Sequence, residues 1–158
     1  MKWTIWVRGL LLALGLVACG RAAGSTSLVP YPALDPTQVV LGRDIYVRSC
    51  ASCHGQNGEG APNWATPGPD GLHPAPAHDD SGHTWHHPDR VLSEAIRDGM
   101  SDPLQPGAPL RMPAFGGTLS DSEVHALIAY FKSLWSQEHR LWQWNETVKD
   151  LGPTSGPP

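Results

Sequence analysis

Three stretches of the chain carry apolar residues at helical spacing, and none alternates in the manner of a strand. The first runs from Thr37 to Val47 behind Pro36, with Leu41, Ile45 and Tyr46 on one stripe. Gly42 sits one turn before Tyr46, where the missing side chain lets another helix come close. The second spans Pro88 to Asp98. A proline in the first turn, an acid beside it and Gly99 past the end agree on its limits, and Val91, Leu92, Ala95 and Ile96 form its apolar face. The third opens on Ser120-Asp121-Ser122-Glu123, a capping-box spacing, and continues with Val124, Leu127, Ile128, Phe131, Leu134 and Trp135. No Gly or Pro follows before Gly152, so this helix is predicted to run on past Trp135. Along that extension Trp135, His139 and Trp142 share a face and Trp144 lies off it. Such tryptophans either brace the helix against the domain or present an aromatic surface to a partner or a membrane interface. The pattern is all-α.

Both ends of the chain fall outside this pattern. Lys2 and Arg8 precede an apolar run from Leu10 to Ala18, which reads as an export signal. It is shorter than the roughly 20 residues of a membrane-spanning helix. The run ends in Leu16-Val17-Ala18-Cys19, which resembles the bacterial lipoprotein signal, implying cleavage before Cys19 and a lipid on that residue. Residues 1–18 are thus assigned to the signal, 19–35 to a flexible tether of small and turn-forming residues, 36–151 to the domain with its helical extension, and 152–158 to a disordered tail. Without residues 1–18 the chain has 9 basic and 15 acidic side chains, a formal charge of −6. No basic stripe suits nucleic acid, and a negative domain is steered toward a partner with a positive docking face.

Most of the chemistry sits in Cys50-Ala-Ser-Cys53-His54, the c-type haem attachment pattern. On one turn of helix the two cysteines can each form a thioether with a haem vinyl group, and His54 can offer its imidazole to the iron. A thioredoxin-like Cys-x-x-Cys pair belongs beside a βαβ pattern, which is absent here. A zinc site wants further cysteines, and the only other one is Cys19 in the export signal. The 17 Gly and 16 Pro leave a loop-rich domain with a thin core, to which one covalent haem c would add apolar surface. For the other axial position, Met100 follows Gly99 and reads as core filler. Met112, in Arg111-Met112-Pro113-Ala114-Phe115, lies on a loop long enough to reach round to the iron, where a thioether raises the haem potential.

With this methionine loop the chain resembles class I cytochrome c, in its small bacterial monohaem form. The resemblance covers roughly Gly42 to Trp135: Gly42 and Tyr46, Cys50 to Gly55, Met112 to Phe115, and Leu127 to Trp135 with Tyr130. It implies the cytochrome c fold, with three main helices around the haem, and a crossing of the first and last helices at which Gly42 and Tyr46 meet Leu127 and Tyr130. It also implies a proline carbonyl soon after the motif that accepts a hydrogen bond from His54, for which Pro62 is the match. Small cytochromes c often place Trp, Arg, His or Asn near the haem propionates. Gly82 to Asp89 looks like such a stretch, with Trp85 offering a flat ring and an N–H donor. His73, His78, His83, His86 and His87 crowd the same region; a second transition metal is the rival reading, but they show no ligand periodicity.

The function expected is one-electron transfer between respiratory or other membrane redox complexes. Two strong axial ligands would close the iron, leaving no enzymatic activity and no small-molecule substrate. The compartment expected is the periplasm or the outer face of the cytoplasmic membrane, with a lipid anchor at Cys19. The alternatives are a dedicated cytochrome subunit of one oxidase or reductase, and a haem sensor or enzyme in which Met112 is displaced.

Overall fold

Asp35 starts the first helix. Its carboxylate accepts from Thr37 N at 2.8 Å, and Pro36 occupies the first turn, where no backbone donor is needed. The computed structural model describes residues 31–101 and 111–152, so the signal, Cys19 and the residues of the predicted tail after Gly152 lie outside the described residues. Helix α1 spans Pro36–Ser49 and passes through Cys50 into the single turn α2, Ala51–His54. A 3-10 turn at Thr84–His86 precedes α3, Asp89–Asp98; α4 is Asp121–Ser133 and α5 is Gln137–Leu151. Among the described residues no strand forms, and one isolated antiparallel bridge joins Met100 to Met112. The fold is all-α.

The core is the crossing of α1 and α4. A Cβ added to Gly42 would stand 1.9 Å from Ala126 O and 2.9 Å from Tyr130 Cβ, so the two backbones touch. Ile45, Tyr46, Val124, Leu127 and Phe131 are buried around this contact, each burial stabilising by roughly 1.5–3 kcal/mol. Tyr46 and Tyr130 meet with ring centroids 5.1 Å apart. The buried stripe of α1 is therefore Gly42, Ile45 and Tyr46, whereas Leu41 is 38 % exposed. A closest approach centred on Gly42 turns its neighbour about 100° away, toward the surface.

The capping box forms as its spacing predicts: Ser120 N donates to Glu123 Oε2 at 2.9 Å, and Glu123 N to Ser120 Oγ at 3.4 Å. The predicted run past Trp135, however, is two helices. Ser136 caps a new one, accepting from His139 N at 3.3 Å, while its own N–H goes to the Asp80 carboxylate at 2.8 Å. Trp135 Nε1 donates to His78 O at 2.7 Å, which holds the indole inward as the chain turns. Trp135 thus shares no face with His139 and Trp142. Trp144, placed off the face by periodicity, is buried, and Trp142 is 52 % exposed.

Helix α5 packs on the 3-10 turn and α3. Gln143 is fully buried, its Nε2 donating to Asp89 Oδ1 at 2.6 Å, Thr147 Oγ1 at 3.0 Å and His87 O at 3.2 Å. Tyr31 also joins this layer, edge-on to Trp144 at 6.5 Å with Arg140 over its ring, so the domain begins before Pro36 and takes in part of the expected tether.

Gly42→Ala is expected to lose about 1–3 kcal/mol by urea denaturation, the overpacking cost exceeding the roughly 1 kcal/mol that alanine gains in helix propensity. Gly117, with nothing within 4 Å of its added Cβ, is the control, and Gly117→Ala should be neutral. Equal midpoints for the two variants would refute the backbone crossing. Tyr46→Phe tests the α1–α2 junction. The Tyr46 hydroxyl donates to Gly55 O at 2.7 Å and His54 O at 3.1 Å, and burial holds its pKa well above the usual value. His54 O keeps a second donor in Gly60 N at 2.8 Å, so chiefly Gly55 O loses its partner. The expected loss is about 1–3 kcal/mol, constant from neutral to moderately alkaline pH.

Candidate functional site

Helix α2, the long loop from Gly55 to Pro88, α3 and the segment around Met112 enclose a cavity of about 1010 Å³. That is at the upper end of the roughly 300–1,000 Å³ typical of ligand pockets. Leu92, Ile96, Leu127 and Phe131 line it with apolar surface, and Val91 and Ala95, half-buried on α3, also face it. Cys50, Cys53 and His54 come to the same space from α2. Cys50 is buried and Cys53 exposed, and no disulfide joins them. Burial, with Cys53 adding to it, pushes the Cys50 thiol up to about 11, opposite to the lowered value that makes a redox-active cysteine reactive.

His54 is buried, and its Nδ1 lies 2.8 Å from Pro76 O. A carbonyl only accepts, so Nδ1 carries the proton and Nε2 keeps the lone pair a metal requires. Burial lowers the His54 pKa, with the Pro76 bond opposing, and so favours this neutral form. The acceptor is thus Pro76 rather than Pro62. The intervening chain forms a closed excursion: Ala61 N bonds Ala75 O at 2.9 Å, and Gly68 N bonds Leu72 O at 2.8 Å. Pro62 leaves on the outgoing side and is exposed in a shallow cleft beside Cys53, while Pro76 returns against the ring.

Two residues on, His78 also lines the cavity. Its ring stacks on His54, centroids 4.2 Å apart and planes 26° from parallel, and its other neighbour is Phe131 at 4.4 Å and 24°. Burial first, then His54 and His83, push its pKa down to about 3, so it is neutral at physiological pH. Thr84 Oγ1 donates to Ala77 O at 3.2 Å and therefore accepts from His78 Nδ1 at 2.9 Å. Sequence reasoning grouped His78 with its histidine neighbours. Only the hydrogen bond to Pro76, two residues before it, places it beside His54.

Trp85 does not line the cavity. Its Nε1 donates to Gly82 O at 3.0 Å, and its ring lies parallel to His139 at 3.7 Å and edge-on to Trp142. The 3-10 turn sends Thr84 inward and Trp85 outward against α5, so the expected packing on the haem and donation to a propionate do not follow. His73, His83, His87 and Arg111 provide polar lining instead. Among the described residues no group of three or more His, Cys, Asp or Glu could hold a further metal ion.

Met112 reaches the cavity from the bridge. Met100 N bonds Met112 O at 3.0 Å and Met112 N bonds Met100 O at 3.1 Å, while Phe115 N and Gly116 N bond the free carbonyls of Ile96 and Arg97. Gly99 permits this return, having φ 73° and leaving no room for a Cβ, which would stand 2.5 Å from Met112 O. Met112 packs half-buried against the core. Met100 is 47 % exposed and also lines the cavity, so it is not core filler; paired residues on a bridge project to the same face.

Two thiols, a histidine with its Nε2 lone pair available and a thioether around one apolar space form a donor set that fits haem. A family model described as Cytochrome c matches residues 39–135. No solved structure matches the chain. The matched span takes in most of α1, all of α4 and the residues of the cavity wall, and α5 lies beyond it. The chain belongs to the cytochrome c family, in which an all-α domain binds haem c covalently, here one, and transfers electrons.

Proposed function

We propose that the protein is a bacterial class I c-type cytochrome carrying single electrons between respiratory or other membrane redox complexes. In this reading Cys50 and Cys53 would hold the haem by thioethers, and His54 Nε2 and Met112 Sδ would be the protein ligands to its iron. The observation that carries it is that these four residues, from α2 and from the bridge after α3, line one apolar cavity. Bound haem supplies the Fe(II)/Fe(III) couple. Pro76 O keeps the His54 proton on Nδ1 and so keeps Nε2 available. Leu92, Ile96, Leu127 and Phe131 exclude water, which limits solvent rearrangement as one electron enters from a donor and leaves to an acceptor. With both axial positions filled by side chains no substrate site remains, so the protein is not an enzyme and has no small-molecule substrate.

The compartment follows from the N-terminal pattern. The signal delivers the chain to the periplasm or the outer face of the cytoplasmic membrane, where lipid on Cys19 tethers it. Its partners are redox proteins, with the charge of −6 favouring a positively charged docking face, and nucleic acid is not among them. A dedicated subunit of one oxidase or reductase is the second reading, favoured by exposed Trp142 and Leu141 on α5. Co-purification with one membrane complex at constant stoichiometry would select it.

The purified full-length protein is expected to show low-spin c-type spectra in both oxidation states, with a far-red thioether-to-iron(III) band. Met112→Ala should remove that band, lower the reduction potential and open the ferrous iron to carbon monoxide, which the unaltered protein should not bind at neutral pH. Ready carbon monoxide binding by the unaltered protein would instead make it a sensor or an enzyme.

A further inference from the structure

We propose that His78 is a positioning residue for the axial histidine, its imidazole fixing the plane in which His54 presents Nε2. This rests on the ligation of iron by His54 proposed above. The bond from His54 Nδ1 to Pro76 O restrains the ring at one atom, and the side-chain bond to Cβ restrains it at another. A hydrogen bond tolerates a range of angles, so the ring can still tilt about its Cβ–Cγ bond. A flat group against its face removes that freedom, and His78 supplies one at 4.2 Å and 26°.

His78 can do this because it is itself held on every side. Its N–H donates to Gly58 O at 2.6 Å and its carbonyl accepts from Trp135 Nε1 at 2.7 Å. Its Nδ1 bonds Thr84 Oγ1, which is anchored to Ala77 O, and Phe131 from α4 covers its second face. The order His54, His78, Phe131 thus forms a continuous stack from the attachment turn to the core. An aliphatic side chain at 78 could fill the volume but has no planar face. Groups that orient a metal's ligands tune the metal as well as hold it.

The orientation of an axial imidazole sets the g-anisotropy of low-spin ferric haem, so electron paramagnetic resonance of the full-length ferric holoprotein reads the proposal directly. His78→Ala is expected to shift and broaden the g values, whereas His78→Phe, which keeps a flat ring in the stack but loses the Thr84 bond, should shift them less, about as far as Thr84→Val. Thr84→Val, which frees the His78 edge without vacating the stack, should shift them in the same direction as His78→Ala and by less. Unchanged g values in His78→Ala, or a His78→Phe spectrum matching that of His78→Ala, would overturn the proposal. Should His78→Ala fail to mature with haem, Thr84→Val decides, and unchanged g values there overturn it. A spectrum of the unaltered protein without histidine–thioether character would instead defeat the ligand assignment, before any variant is compared.

Discussion

The contact between the backbones of α1 and α4 at Gly42 is the constraint from which the site is built. Helix α1 runs through Cys50 into α2, with Cys50 N bonding Tyr46 O at 2.8 Å and His54 N bonding Cys50 O at 3.0 Å. No flexible joint separates the crossing from the attachment turn, so the angle of the crossing also places the cysteines and His54. Helix α4 contributes Leu127 and Phe131 to the cavity, the latter ending the three-ring stack. Tyr46 closes the link, lying in the crossing while its hydroxyl reaches Gly55 O. A displacement at Gly42 would therefore reach His54 through two routes, one along the backbone and one through aromatic rings.

Loops make up much of the remaining wall, and each is tied where it meets the cavity. Between Gly58 and Thr84 the chain is pinned by His78 N and Asp79 N to Gly58 O, by Ala61 N to Ala75 O and by Thr84 Oγ1 to Ala77 O. Ala77, fully buried, is the centre of these ties. The excursion from Pro62 to Pro74 can vary without disturbing Pro76 and His78, because its ends are joined. His73, Pro74, Pro76 and His78 line the cavity at or beside these ties, which is how a chain rich in Gly and Pro can still hold its cavity wall in place.

What was legible in the sequence was local. Helix limits at Pro36, Pro88 and Ser120 depend on side chains within a few positions, and the attachment pattern is five consecutive residues. What was missed depends on where loops return. Pro62 was matched by its proximity to the motif, but the pairing of Ala61 with Ala75 brings a later proline, Pro76, to His54 in space. Trp85 looked like the haem neighbour because it is large and aromatic, yet the handedness of a three-residue turn decides that Thr84 faces in. The break at Ser136 carries neither Gly nor Pro. Its signal was a serine three residues before His139, too common to outweigh an otherwise continuous apolar period. His78 was hidden by its histidine neighbours, whose shared composition conceals different surroundings.

Helix α5, beyond the matched family span, bears on the cavity through its contact with residues 84–89. Gln143 holds His87 O and Asp89 Oδ1, Thr147 Oγ1 accepts from Asp89 N at 3.1 Å, and Lys132 from α4 bonds Asp89 Oδ2 at 2.6 Å. Asp89 therefore joins α3, α4 and α5 at the point where the chain leaves the cavity wall at His87. The outer pairs of Arg90 with Asp150 and Glu94 are solvent-exposed and contribute little by comparison. Bracing and display are divided between residues on α5 rather than being alternatives for the helix as a whole. Trp144 and Gln143 face inward and hold the wall, while Trp142 and Leu141 face outward. Trp142 meets Trp85 edge-on, and the residue before Trp85 is Thr84, the anchor of the His78 ring. The outer aromatic surface and the ring beside His54 are thus carried by adjacent residues of one turn.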